Sequence, residues 1–131
     1  MAYSPQFASL AVSEVEQIST ANTARDGTGG ITTLVTGVSP GTIIEAVIAR
    51  AAATTTAGML RLFYREASAD TWRLLAELAV TAITPSGTVQ AFSGSFTMPA
   101  GQVYLPNGAQ IGVSTHNAET FNIFVTRAGD A

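Results

Sequence analysis

The chain has 131 residues, and charged residues make up only 11% of them, against roughly 25% in typical soluble domains. The formal net charge is -3 and lysine is absent, so no basic patch is available for phosphate contacts, and nucleic-acid binding is not expected. Cysteine is also absent, which excludes disulfides and thiolate metal sites.

The first 28 residues are the least regular part of the sequence. Their apolar residues satisfy neither a helical nor a strand period, and the segment ends in the glycine-rich turn RDGTGG. We predict an N-terminal arm over residues 1–28, either a frayed terminus or a segment that ties one subunit to its neighbour. The N-terminus lacks the basic region and apolar run of a secretory signal, and no segment has the length of a membrane span. We therefore expect synthesis in the cytoplasm and no membrane partner.

Two segments combine helical and strand patterns. Residues 42–53, TIIEAVIARAAA, and residues 71–83, TWRLLAELAVTAI, each place apolar residues at helical spacing and also in alternation, so periodicity alone leaves both structures open. β-Branched content and length favour a strand for the first segment. A polar turn before the second favours a hairpin with the preceding strand.

That preceding strand lies within residues 54–66, TTTAGMLRLFYRE, the most clearly alternating stretch of the chain. Alternation puts Leu60, Leu62 and Tyr64 on one face, which we interpret as core. The opposite face, predicted to be a mixed surface, carries Arg61, Phe63 and Arg65. In the partner strand, alternation predicts that the core-facing residues are Leu74, Ala76, Leu78 and Val80. Leu75 would then be an apolar residue on the solvent-facing side, which does not fit the pattern.

Short strands separated by Gly/Pro turns continue to the end of the chain. They include Ile31 to Thr36, VQAFSGSFTM with a bend expected at Gly94, the brief VYL, and the two closing strands AQIGVSTH and ETFNIFVTR. About eight such strands predict an all-β, single-domain, jelly-roll-like β-sandwich over residues 29–131.

No catalytic, metal or cofactor motif is present, and we do not expect an enzyme. His116 is the only histidine, which excludes a histidine cluster, and Asp26 lies in a glycine-rich turn without phosphate-loop or calcium-loop spacing. The acidic residues Glu66, Asp70 and Glu77 fit the surface of a hairpin better than a glycosidase pair. A hydrolase would need a convergent acidic pair.

The combination of ANTARDGTGGITTLVTG, TTTAGMLRLFYRE, ELAVTAITPSGTVQAFSGSF and VYLPNGAQIGVSTHNAETFNIFV resembles small virion structural proteins of tailed bacteriophages. The resemblance implies a virion protein made in the host cytoplasm, most plausibly a capsid decoration or cement protein, with a tail or fibre-attachment role next. It implies a homo-oligomer, with a trimer favoured, and partners such as the major capsid protein or other virion proteins.

The sequence offers three interpretations of its aromatic and arginine residues. In a virion protein of low charge, an Arg/aromatic surface is the first candidate for a subunit contact, and it comprises Arg61, Phe63, Arg65 and Trp72. With Tyr64, these aromatic residues could instead form a sugar platform in a carbohydrate-binding module, or simply the core and rim of a sandwich.

Overall fold

The computed structural model describes residues 14–130, which form nine β-strands and one short 3₁₀ turn, Pro99–Gly101. The strands are β1 (Glu14–Ile18), β2 (Thr32–Thr36), β3 (Thr42–Ala51), β4 (Gly58–Arg65), β5 (Arg73–Val80), β6 (Ser93–Ser95), β7 (Val103–Leu105), β8 (Gln110–Thr115) and β9 (Phe121–Asp130). The described residues contain no α-helix, so the all-β prediction is confirmed. It follows that these residues include no helix long and apolar enough to cross a membrane.

The strands form two antiparallel sheets. Sheet A has the order β1-β9-β3, and both β6 and β7 pair with the free side of β3. Sheet B has the order β2-β8-β4-β5. A jelly-roll connectivity is compatible with this arrangement and stays a prediction.

A single core fills the space between the sheets. Sheet A contributes Ile44, Val47, Ile123 and Val125, and sheet B contributes Leu60, Leu62, Ile111 and Val113, all of them buried. Phe92 and Phe121 meet edge to face, with ring centroids 6.3 Å apart, an arrangement that aromatic pairs prefer. Because both sheets share this core, the molecule is a β-sandwich.

Both ambiguous segments are strands, and β-bulges explain their helix-like spacing. In β3 the register against β9 shifts between Ile44 and Val47, so these two inward residues are three apart instead of two. In β5, Leu62 pairs with Ala76 and Phe63 with Leu74, which leaves Leu75 as the extra residue. A bulge inserts one unpaired residue, and the resulting three-residue step imitates the spacing of a helix face.

The predicted hairpin between β4 and β5 is confirmed, but the predicted orientation of one side chain in β5 is wrong. Leu74 was expected inward and is 38% exposed, whereas Leu75, which alternation left unplaced, packs against the core. The bulge is the physical reason, because it reverses the alternation on either side of itself.

The predicted arm does not extend to residue 28. Strand β1 pairs with β9 along its whole length, from Glu14 opposite Val125 to Ile18 opposite Phe121, and residues 19–31 then cross the outer face of sheet B. Residues 14–28 therefore belong to the sandwich, and the boundary at residue 29 is wrong. The remainder of the predicted arm, residues 1–13, lies outside the described residues.

The segment VQAFSGSFTM forms a shorter strand than expected, since only Ser93–Ser95 pairs with β3. Gly94 stays in register opposite Ala49. Its backbone lies so close to the core that an added Cβ would come within 3.1 Å of Leu78 and 3.2 Å of Phe92. Glycine here permits close packing of the small edge strand onto the core.

Candidate functional site

The predicted contact surface on β4 is mostly inside the molecule. Arg61 and Phe63 have no exposed area, Trp72 is 8% exposed, and Arg65 is partly buried. A side chain without exposed area cannot contact another subunit, so the assignment of Arg61 and Phe63 to an exposed surface is wrong. Arg65 is the one member of the set that still reaches solvent to a useful extent.

Residues 19–31, which we call the covering loop, bury this face of sheet B. The side chain of Asn22 holds the loop together: its Nδ2 donates to the carbonyl oxygens of Thr28 and Gly30, both at 3.0 Å, and its Oδ1 accepts from the backbone N–H of Ala24. The backbone N–H of Asn22 donates to the carbonyl oxygen of Thr115 at 2.8 Å, which fastens the loop to β8.

Glycine is required where the covering loop meets the sheet. Gly27 has a φ of 91°, and a Cβ there would collide with the backbone carbonyl of Trp72. On β8, a Cβ at Gly112 would lie 2.6 Å from Ile31 and 2.8 Å from the Trp72 ring. Both positions need a residue without a side chain, so the glycine-rich turn seen in the sequence serves close packing.

Arg61 is a buried cation with three described partners. Its Nε donates to Glu77 Oε2 at 2.9 Å, one Nη donates to the carbonyl oxygen of Asn22 at 3.3 Å, and the other lies 3.2 Å from His116 Nδ1. A guanidinium only donates, so Nδ1 of the histidine acts as the acceptor. His116 therefore has a structural contact.

Glu77 links the buried arginine to the covering loop. Its Oε2 also accepts from Arg25 Nε at 2.7 Å. The hydrogen bond from Arg25 and the weaker contribution from Arg61 stabilise the carboxylate against desolvation, so the pKa of Glu77 lies below its ordinary value of 4.5. This carboxylate accepts hydrogen bonds from two guanidinium groups, which makes it a structural anion and a poor proton donor.

The side chains of Arg65 and Trp72 pack against each other. The Arg65 guanidinium lies 4.0 Å from the centroid of the Trp72 ring, a cation–π distance, and its Nε donates to Gln110 Oε1 at 2.7 Å. The indole face is covered by the arginine and the ring is nearly buried. The alternative sugar platform is therefore not presented at the surface as one patch: Arg61, Phe63 and Trp72 are buried, and Tyr64 packs against the core.

The three acidic residues of the hairpin are divided between two places. Glu66 and Asp70 line a depression of about 430 Å³ at the turn between β4 and β5, together with Tyr64, Arg65 and Arg73, whereas Glu77 lies in the Arg61 network. Desolvation and, secondarily, the charge of Glu66 raise the pKa of Tyr64. Within residues 14–130 no group of three or more acidic, histidine or cysteine side chains is placed to hold a metal ion.

The outer face of sheet A differs from that of sheet B because no described segment covers it. Strand register aligns Val15 of β1, Phe124 of β9 and Ile48 of β3 in one row across the sheet, and we call these three residues the apolar stripe. Val15 is 51% exposed, and the other two are partly buried. Further along β3, Ile43 pairs with Tyr104, which is 50% exposed.

The sequence contained a signal for the apolar stripe that alternation alone did not use. In β9, Phe124 stands on the face opposite to Phe121, Ile123 and Val125, and in β3 Ile48 opposes Val47 and Ala49. Strands with apolar residues on both faces indicate burial on both sides. One of these faces is the sandwich core, and the other is the uncovered outer face.

Comparison of the chain with protein-family models and with curated protein sequences gave no match. The geometry of the two outer faces is therefore the basis for a functional proposal. Sheet B is completed by its own covering loop, and sheet A presents an apolar surface.

Proposed function

We propose that this protein is a structural interaction protein that assembles with copies of itself and with neighbouring proteins. The observation that supports this function is the apolar stripe on the outer face of sheet A. Apolar residues that are aligned across a sheet and that no described segment covers mark an interaction surface, and the low charge of the chain, 11%, fits a protein whose surface is partly covered by neighbours.

The resemblance to small virion proteins supports a more specific role, decoration or cementing of a bacteriophage head. Such a protein bridges neighbouring capsid subunits, and a homo-oligomer increases its avidity because several copies engage the shell at once. Bridging requires rigid surfaces and no catalytic centre. A tail or fibre-attachment role uses the same properties and is the alternative within this class.

The self-association step is tested by measuring the mass of the purified protein at micromolar concentration. We expect a homo-oligomer for the wild type and a shift to monomer for Val15→Asp, because a charge in the stripe must be desolvated on assembly. Val89→Asp is the matched control, since Val89 is 48% exposed and lies outside both sheets. A monomeric wild type would overturn the proposal.

The virion role is tested by sedimenting the protein with phage heads that lack it. Saturable co-sedimentation, reduced by Val15→Asp and retained by Val89→Asp, is the expected result for a cement protein. Binding to isolated tails in place of heads would select the tail role. A glycan array with saturable sugar binding, together with no binding to either particle, would instead select a carbohydrate-binding module.

A further inference from the structure

The apolar stripe runs perpendicular to the strands and has unequal ends. The row begins with the exposed Val15 on the edge strand β1, continues through Phe124 and Ile48, and ends at the small Ser95 on β6. A neighbouring row follows the same strands with the polar residues Gln17, Asn122, Arg50 and Ser93. The face therefore has an apolar band beside a polar band.

We propose that this face packs against the same face of a second copy, about a two-fold axis parallel to the strands. This inference rests on the proposed function and specifies its self-association contact. Such an axis leaves each row at the same position along the strand direction but reverses the order of its residues across the sheet. Val15 then faces Ser95 of the second copy, and Phe124 faces Ile48 of the second copy. Large residues then meet smaller ones, which two packed sheets require for interdigitation.

The polar row is complementary under the same operation. Reversal places Arg50 opposite Asn122 of the second copy and away from the other Arg50. Asn122 Oδ1 already accepts from Gln17 Nε2 at 2.9 Å, and an amide oxygen has a second lone pair for the incoming guanidinium. The contact thus avoids like charges and supplies an acceptor for the arginine.

The area of the face is sufficient for a specific contact. The strands of sheet A are unequal in length: β3 and β9 contain ten residues each, β1 contains five, and β6 and β7, which share one side of β3, contain three each. At about 4.8 Å between strands and about 3.3 Å per residue, these strands cover roughly 500 Å². Two such faces bury roughly 1,000 Å² in total, the minimum expected of a specific interface.

Cross-linking of a cysteine pair tests the predicted geometry, because the wild-type chain contains no cysteine. Packed sheets lie about 10 Å apart, too far for a disulfide, so a short bis-maleimide is used. We expect a mixture of Val15→Cys and Ser95→Cys chains to give a covalent dimer and each variant alone to give at least fivefold less. The double variant should stop at two chains.

Each other outcome overturns the two-fold contact in a recognisable way. Dimers from Val15→Cys alone would mean an axis perpendicular to the strands, and a ladder of higher multimers from the double variant would mean edge-to-edge association. A yield no greater than that of Val89→Cys would mean collisional linking and an occupant other than a second copy. If the measured mass is oligomeric, any of these cross-linking results rejects the two-fold contact but not the proposed function. If the measured mass is monomeric, the two-fold contact and the proposed function are both rejected.

Discussion

The Arg61 network predicts a specific loss of stability when its counterion is neutralised. In Glu77→Gln the buried guanidinium, 1% exposed, keeps a hydrogen-bond acceptor but loses the neutralising charge. Breaking a fully buried ion pair costs about 3–5 kcal/mol, and an exposed pair contributes about 0.2–1 kcal/mol. Because the Glu77 side chain is 30% exposed, we expect an intermediate loss of about 2 kcal/mol in the free energy of unfolding.

Urea unfolding followed by tryptophan fluorescence measures this loss, and the single tryptophan, Trp72, lies on the same outer face of sheet B. With an m-value of about 1.5 kcal/mol per molar urea, a loss of 2 kcal/mol lowers the midpoint by about 1.3 M. The control is Glu66→Gln, an exposed glutamate at the end of β4. Equal midpoints for Glu77→Gln and Glu66→Gln would refute the view that this carboxylate neutralises Arg61.

Three further predictions concern pH, close packing and the bulge. Because the pKa of Glu77 is lowered in the folded state, the contribution of its carboxylate to the free energy of unfolding is complete above pH 4.5 and is lost as the pH falls through the lowered pKa. In urea titrations the difference in free energy of unfolding between wild type and Glu77→Gln should therefore become smaller in acid. A difference that does not change with pH would contradict this. Gly112→Ala should lower the free energy of unfolding by about 1–3 kcal/mol through overpacking. The control is Gly30→Ala, where a Cβ has no neighbour within 4 Å, and it should change the free energy of unfolding by less than about 1 kcal/mol. Equal effects of the two substitutions would contradict the described packing. Leu75→Ala should cost about 2 kcal/mol and Leu74→Ala less than about 0.5 kcal/mol, and the reverse order in thermal unfolding would place the bulge elsewhere.

The sequence was sufficient for strands β2 to β9 but not for β1 or for the coverage of each face. The polar turn identified the hairpin, and alternation identified the inward Leu60 and Leu62 correctly, because both signals are local properties of the sequence. It assigned Arg61 and Phe63 to the opposite face, which is also correct. It could not show that a loop 39 positions earlier in the chain, at Asn22, covers that face, since such a contact depends on tertiary structure.

The two bulges show a second limit of periodicity. A single unpaired residue in β3 and another in β5 gave each strand a step of three, and a step of three is also what a helix produces. Composition and adjacency identified the strands correctly, but only the register could show that Leu75, and not Leu74, packs into the core. Register depends on the partner strand and is therefore not visible in either strand alone.

The two outer faces differ in where the few charged residues of the chain are used. Arg25, Arg61 and Glu77 are all used to fasten the covering loop to sheet B, so that face is completed within one chain by a network that leaves a buried cation neutralised. The apolar stripe on sheet A contains no charge, and burying it against another surface requires no desolvation of an ion. A face that costs little to desolvate and that no segment within residues 14–130 covers is suited to contact with another molecule, and this asymmetry is the physical reason for proposing self-association through sheet A.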